Sequence, residues 1–320
     1  MDARPLGRAF SLSAAAPRRK GAALPELPEV ETIRRGLEPR ARGRMLVRVE
    51  VRLGKQVRGM AAARFEREAA GRRIEAVERR AKFLLFRLSG GKTLLVHLGM
   101  SGQISWWDPA KKDSPGFVVS PLTGLQRTAS QHAVDRHTHV LLHLDGGDRI
   151  QYRDPRQFGY LRLLDGAAVA ALPSMRRLGL EPLGPGFTFE AFSGALAVRR
   201  GMLKALLLNQ SAVVGLGNIY ADEACFAAGL HPRQRLERVR EPGRRALFDA
   251  IRAVLAQALD NGGTSFRDYR RSDGSHGLNQ DRLAVYGRGG EPCQRCGSTL
   301  RKTLVSQRTT VFCPRCQRLK

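Results

Sequence analysis

Four of the five cysteines stand in two CxxC pairs near the C-terminus. Cys293 and Cys296 form "CQRC", Cys313 and Cys316 form "CPRC", and sixteen residues separate the pairs. No other feature limits the fold so tightly. Each pair can present two thiolates to one tetrahedral ion, and the stretch between them suits a β-hairpin. Four sulfur ligands leave no open coordination position, so the spacing predicts one structural Zn2+. Disulfides or unrelated thiols are the plain alternative. Within the hairpin, "LVSQRTTVF" offers a turn that would project Arg308 outward, although a surface arginine needs no special role. Cys225 lies alone in an apolar helical stretch and reads as core.

Upstream of this module, the 320 residues suffice for two domains with real cores. The formal net charge of +26 is spread along the chain and calls for a polyanion, nucleic acid first. An anionic membrane surface is the rival partner, but no apolar run approaches a transmembrane span. Residues 1–24 lack a secretory apolar core and read as a disordered or spurious extension, with a transit peptide as the alternative. Pro28 can occupy the first turn of a helix that places Val30, Ile33 and Leu37 on one face. From Val47 to Leu164, short runs such as "KFLLFRL" and "THVLLHL" read as antiparallel strands of a sandwich or barrel, with a polar loop over 107–136. A linker follows at "EPLGPG", then helical patterns at 189–209, 219–228 and 242–261, a Gly-rich loop at 262–280 and the cysteine module.

Three segments carry candidate chemistry. In "GLGNIYADE", Gly215 and Gly217 permit positive φ and close backbone approach, and Asn218 can cap a helix whose free amides suit phosphate. An ordinary helical hairpin fits the same letters. "DPRQFG" sets Arg156 and Phe158 two apart on one side of an extended segment, a cation and an aromatic wedge suited to opening a DNA stack. A core phenylalanine is the plain reading. His137, His139 and His143 share a strand face without a fourth ligand, which a half-buried strand explains.

Taken together, "PELPEVET", "RRAKFLLF", "HLGMSG", "DPRQFG", "GLGNIYADE", "SDGSHG" and "VYGRGGEPCQRC…CPRC" resemble the bacterial formamidopyrimidine-DNA glycosylase family in order and spacing, from Pro25 to the C-terminus. The resemblance implies an α+β protein. Its catalytic antiparallel β-sandwich with flanking helices would span 25–175, a helix–two-turn–helix DNA-binding domain with a lesion-covering loop 184–280, and a zinc-finger hairpin 284–320. It implies a monomeric bacterial cytoplasmic enzyme of base excision repair acting on damaged double-stranded DNA. Oxidised purines, 8-oxoguanine and formamidopyrimidines, would be excised opposite cytosine and the abasic strand then cut by β,δ-elimination.

On that resemblance Pro25 is the amine nucleophile, Glu26 handles protons at the sugar and Glu29 supports the amine. Lys82 contacts backbone phosphate beside the site. Met100, Arg156 and Phe158 fill the void left by the flipped base, with Arg156 reading the orphaned cytosine. Lys204, Asn218 and Arg308 bind DNA, the last two at phosphates flanking the lesion. Two departures stand out. Gln157 replaces a second basic residue of some relatives, and 24 residues precede the proline that the family carries at a free terminus. A start at Leu24 read as methionine, specific processing, or an inactive extension would each account for the second. The alternatives are an endonuclease VIII-like enzyme for oxidised pyrimidines, and a lesion-binding protein silent because Pro25 is acylated.

Overall fold

The computed structural model describes residues 25–109, 134–265, 270–273 and 275–320. Expectations for residues 1–24, most of the 107–136 loop and part of the covering loop fall outside these. Helix α1 (Leu27–Ala41) comes first, with Pro28 in its opening turn, where a missing N–H costs no hydrogen bond. Val30, Ile33, Leu37 and Ala41 recur at helical spacing and are fully buried.

Two antiparallel four-stranded sheets follow. One orders β1 (Leu46–Val51), β6 (Thr138–Leu144), β7 (Arg149–Arg153) and β5 (Gln103–Trp107); the other orders β2 (Ile74–Arg80), β3 (Phe83–Leu88), β4 (Lys92–His97) and β8 (Tyr160–Asp165). Leu84, Phe86, Leu94 and Val96 of the second sheet share one core with Leu142, Ile150 and Tyr152 of the first, closed by α1 and by Phe65 of α2 (Ala62–Ala69). Truncating Phe86 to alanine would cost about 3–5 kcal/mol. The unbroken apolar run of β3 has a separate cause. Its other face, with Phe83 and Leu85, is covered by Val169 of α3 (Gly166–Ala171) and Met175 of α4 (Pro173–Arg176). A strand buried on both faces has no reason to alternate.

The second domain contains α5 (Phe189–Ala197), α6 (Leu203–Leu208), α7 (Asn218–Ala227) and α8 (Glu241–Asp260). The helical pattern expected over 189–209 is therefore two helices, broken near Gly201, whose φ is +122°. Phe187, Phe189 and Phe192 gather around Phe248 of α8. The terminal hairpin pairs β9 (Arg301–Val305) with β10 (Arg308–Phe312) through a two-residue turn, Ser306–Gln307, both at positive φ. Its small core of Val285, Leu300 and Val311 rests on Phe226 of α7. Among the described residues no helix is long and apolar enough to cross a membrane.

Candidate active site and nucleic-acid interface

The start of α1 meets the start of α7. The first amides of a helix have no intrahelical acceptor and carry the positive end of its dipole. Here they receive the Glu26 carboxylate, which accepts from the N–H groups of Gly217 at 2.6 Å, Ile219 at 2.9 Å and Tyr220 at 3.3 Å. The amides expected to suit phosphate are thus taken by an internal anion. Asn218 is the first helical residue and not the cap; Gly217 occupies that place at φ −130°. Gly215 has the positive φ, +84°, and Gly217 the close approach, since a Cβ there would lie 2.5 Å from the Glu26 carboxylate.

Glu29, one turn along α1, is also buried. Its carboxylate accepts from Glu26 N–H at 2.9 Å, the Tyr220 hydroxyl at 2.5 Å and Thr264 N–H at 2.8 Å. Burial, and next the charge of Glu26, push the Glu29 carboxyl up to about 7. Burial raises Glu26 too, against the pull of Lys82 and the three amides. Buried Pro25 is followed directly by Glu26, whose N–H binds Glu29, and both of these carboxyl groups hold protons more tightly than exposed ones.

A pH consequence follows for Glu29. An acid whose folded pKa is raised binds more protons folded than unfolded, so its contribution is fully present below about 4.5 and is lost as pH rises through about 7. Denaturant unfolding from pH 4.5 to 7 should show a loss of up to about 3 kcal/mol that Glu29→Gln removes. An equal slope in the variant would place that titration elsewhere.

Lys82 lies in the β2–β3 turn, and its ammonium donates to Leu216 O at 2.9 Å, across the domain boundary. Burial lowers its pKa, Glu26 and Glu29 oppose this, and the Arg308 charge adds to the lowering. His97, at the end of β4, is held down to about 4 by burial and by the charges of Lys82 and Arg58. It is neutral at pH 7, and its Nδ1 accepts from Gly99 N–H at 3.2 Å.

Arg156 and Phe158 are both exposed, Phe158 to 53%, with the guanidinium 5.1 Å from the ring centroid. They do not share an extended segment. Gln157 between them has φ +60°, and the loop is folded around buried Asp154. The Asp154 carboxylate accepts from Ser101 Oγ at 2.5 Å and from Gly159 N–H at 2.8 Å, while Ser101 Oγ accepts from Arg156 N–H at 3.0 Å. Ser101 thereby joins the Met100 loop to the Arg156–Phe158 loop.

At the finger, Arg308 is exposed and Asn218 Nδ2 donates to Thr309 O at 3.1 Å. Lys204 departs from expectation. It is fully buried, 2.7 Å from Asp222 Oδ1, and donates to Thr310 Oγ1 at 2.7 Å. An ammonium enclosed and paired in this way does not reach a DNA phosphate; it ties α6 and α7 to β10. The four Sγ atoms of Cys293, Cys296, Cys313 and Cys316 lie within 4.8 Å of one another. Tetrahedral Zn–S bonds of roughly 2.3 Å demand sulfur separations of about 3.8 Å, which lie inside that bound. Cys316 N–H points at Cys313 Sγ, 3.4 Å away, and Gln317 Oε1 accepts from Cys313 N–H at 2.8 Å. The donor set fits a zinc ion.

Family models match nearly all of the described chain: the formamidopyrimidine-DNA glycosylase N-terminal domain over residues 24–161, its H2TH domain over 178–270, and the zinc finger found in FPG and IleRS over 290–319. A formamidopyrimidine-DNA glycosylase of Heliobacterium modesticaldum is 43% identical over 295 residues, 92% of this chain and all of that protein. The chain belongs to the formamidopyrimidine-DNA glycosylase family. Among solved structures, the MutM (Fpg) protein of Thermus thermophilus is 40% identical with a TM-score of 0.77, covering 92% of this chain and 100% of that one. Lactococcus lactis Fpg bound to abasic-site DNA is 32% identical with a TM-score of 0.79, covering 92% and 99%. The chain is a DNA glycosylase of repair, with DNA as its partner and one structural zinc.

For this glycosylase, sequence reasoning does not single out Tyr220 and Thr264, which hold Glu29, or Ser101 and Asp154, which hold the exposed Arg156–Phe158 loop. Signals were present. Asp154 opens "DPRQFG" and Tyr220 stands inside "GLGNIYADE", but their partners come from distant segments. The zinc finger yields a direct test. Its core is a few side chains, so Cys296→Ser should release the zinc and weaken DNA binding by about tenfold or more while the melting of the sandwich stays put. Zinc-free protein with unaltered DNA affinity would show that the finger does not serve binding.

Proposed function

We propose that a chain beginning at Pro25 is a bifunctional glycosylase and abasic-site lyase for oxidised purines. The Pro25 amine attacks C1′ of the damaged nucleotide, the base departs with the glycosidic electron pair, and opening of the sugar gives a cationic iminium. That electron sink permits β- and then δ-elimination of the flanking phosphates. Glu26 moves protons at the sugar and Glu29 supports the amine. Lys82, Asn218 and Arg308 hold phosphates, while Met100, Arg156 and Phe158 occupy the void of the flipped base. The enzyme works as a monomer on chromosomal DNA in the bacterial cytoplasm.

One observation carries this reading: two buried carboxyl groups of raised pKa, Glu26 and Glu29, stand immediately after Pro25 and are braced by the second domain. Proton transfer needs such groups, and helix capping alone would be served by an exposed carboxylate. The relatives add support, since a mutant of the Lactococcus lactis protein was crystallised with Fapy-dG DNA and the Lactococcus lactis protein itself with abasic-site DNA. A second reading has its own support, because the same protein was also crystallised with DNA containing an oxidised pyrimidine. Excision assays with a chain starting at Pro25 separate the two. Release of 8-oxoguanine opposite cytosine should outpace release opposite adenine, and also release of thymine glycol. Faster thymine glycol release would establish the pyrimidine reading instead.

A further inference from the structure

The segment joining the first two domains is fastened at one side chain. Glu181, in "EPLGPG", reaches back to the β2–β3 turn with both carboxylate oxygens. Oε1 pairs with Arg79 Nη1 at 2.5 Å; Oε2 pairs with Arg80 Nη1 at 2.9 Å and accepts from Ala81 N–H at 3.0 Å. Arg80 Nη2 also donates to Gly179 O at 2.7 Å. Arg79, only 7% exposed, continues from Glu181 to Glu31 on α1 at 3.0 Å. One linker carboxylate thus gathers the helix that begins beside Pro25, the turn that carries Lys82 and the entry to the second domain.

Ala81 gives this clamp a specific task. It is the first of two residues in the β2–β3 turn, and its φ is +52°. That position favours glycine, because a Cβ crowds the backbone at positive φ. Ala81 is also 1% exposed, so solvent does not stabilise its peptide. The next residue is Lys82, whose ammonium must then reach Leu216 O. With its N–H free, Ala81 would favour a turn of another type, and Lys82 would leave on a different vector.

We infer that Glu181 is a positioning residue for Lys82: by holding Ala81 at positive φ it aims the lysine into the cleft. This rests on the reading of Lys82 as a phosphate contact given above. It also makes the linker part of the active-site wall and not a spacer between domains.

The test compares chains starting at Pro25 that carry Glu181→Ala, Glu181→Gln, Lys82→Ala, the double variant Glu181→Ala/Lys82→Ala, and Glu181→Ala/Ala81→Gly. Single-turnover excision and the slope of log affinity for abasic-site DNA against log salt are measured for each. Glu181→Ala should slow excision about tenfold and make the slope shallower by about one phosphate's share, as Lys82→Ala does. The double variant should be no worse than Lys82→Ala. Ala81→Gly should restore much of the loss, because glycine takes positive φ unaided. Glu181→Gln preserves the volume and one acceptor, so it should fall between the parent and alanine even if alanine folds poorly. Additive losses without glycine rescue, in a protein where Lys82→Ala does weaken excision, would overturn the positioning role and leave Lys82 intact. A Lys82→Ala protein equal to the parent in rate and slope would overturn both.

Discussion

Borohydride is expected to trap a covalent DNA adduct with a chain beginning at Pro25, and none with the 320-residue chain. In the longer chain the Pro25 nitrogen is a tertiary amide. Its lone pair is delocalised into the carbonyl of the preceding residue, and no neighbouring side chain can return it. At a free terminus the same atom is a secondary amine. A terminal amine of pKa about 7.7–8 is about 15% unprotonated at pH 7, and lowering it by one unit raises that to about 60% for about 1.4 kcal/mol. Burial and the positive end of α1 both lower it. The raised pKa of Glu29 acts in the same direction, because a carboxyl half-protonated near pH 7 stabilises an ammonium less than a full carboxylate does. Both forms should bind lesion DNA through Asn218, Arg308 and the Arg156–Phe158 loop. Pro25→Gly carrying an acetyl cap should bind without trapping. An adduct formed equally well by verified 320-residue protein would move the nucleophile to another residue, a lysine first.

How far the letters lead is best seen at particular residues. The finger is written out locally: two CxxC pairs at fixed spacing give the ligands, and the turn between them exposes Arg308. Helix α1 is equally legible from Pro28 and the spacing of Val30, Ile33 and Leu37. What stays hidden is contact between distant segments. Nothing near Gly217 shows that its neighbour is a carboxylate 191 positions earlier. Lys204 has the letter of a phosphate contact, yet Asp222 and Thr310 enclose it, and no periodicity in "LKALLL" marks that enclosure. The same limit explains Phe158. Its exposure depends on a left-handed Gln157 and on Asp154 held by Ser101, a bond between residues 53 apart. Local patterns fix elements and ligand spacing; the electrostatic state of Glu26, Glu29 and Lys82 is a property of the assembled cleft.

That state makes Glu26→Gln the variant with the largest effect after loss of the amine itself. The Glu26 carboxylate faces three amide donors, from Gly217, Ile219 and Tyr220, with oxygens only. Glutamine offers one oxygen and turns an NH2 group toward the remaining N–H groups. Each donor left unpaired in this buried place costs about 1–3 kcal/mol, so the first turn of α7 should shift away from α1. On the proposed mechanism the variant also removes the group that moves protons at the sugar, and general acid–base groups contribute about 10²–10⁴ in rate. Single-turnover excision should therefore fall by at least about a hundredfold. Zinc content should hold, since the finger's core packs on the far end of α7 at Phe226. Affinity for undamaged DNA should fall modestly, because Asn218 and its bond to Thr309 O lie in the turn that shifts. Glu26→Asp keeps the charge but shortens the reach, and should recover only part of the rate. Chemistry and capping can be told apart with DNA that already contains an abasic site. There base departure is no longer required, and the Pro25 amine can condense with the open sugar, so Glu26→Gln should still give the borohydride adduct at a reduced rate. A Glu26→Gln protein that excises 8-oxoguanine as fast as its parent would reduce Glu26 to a helix cap.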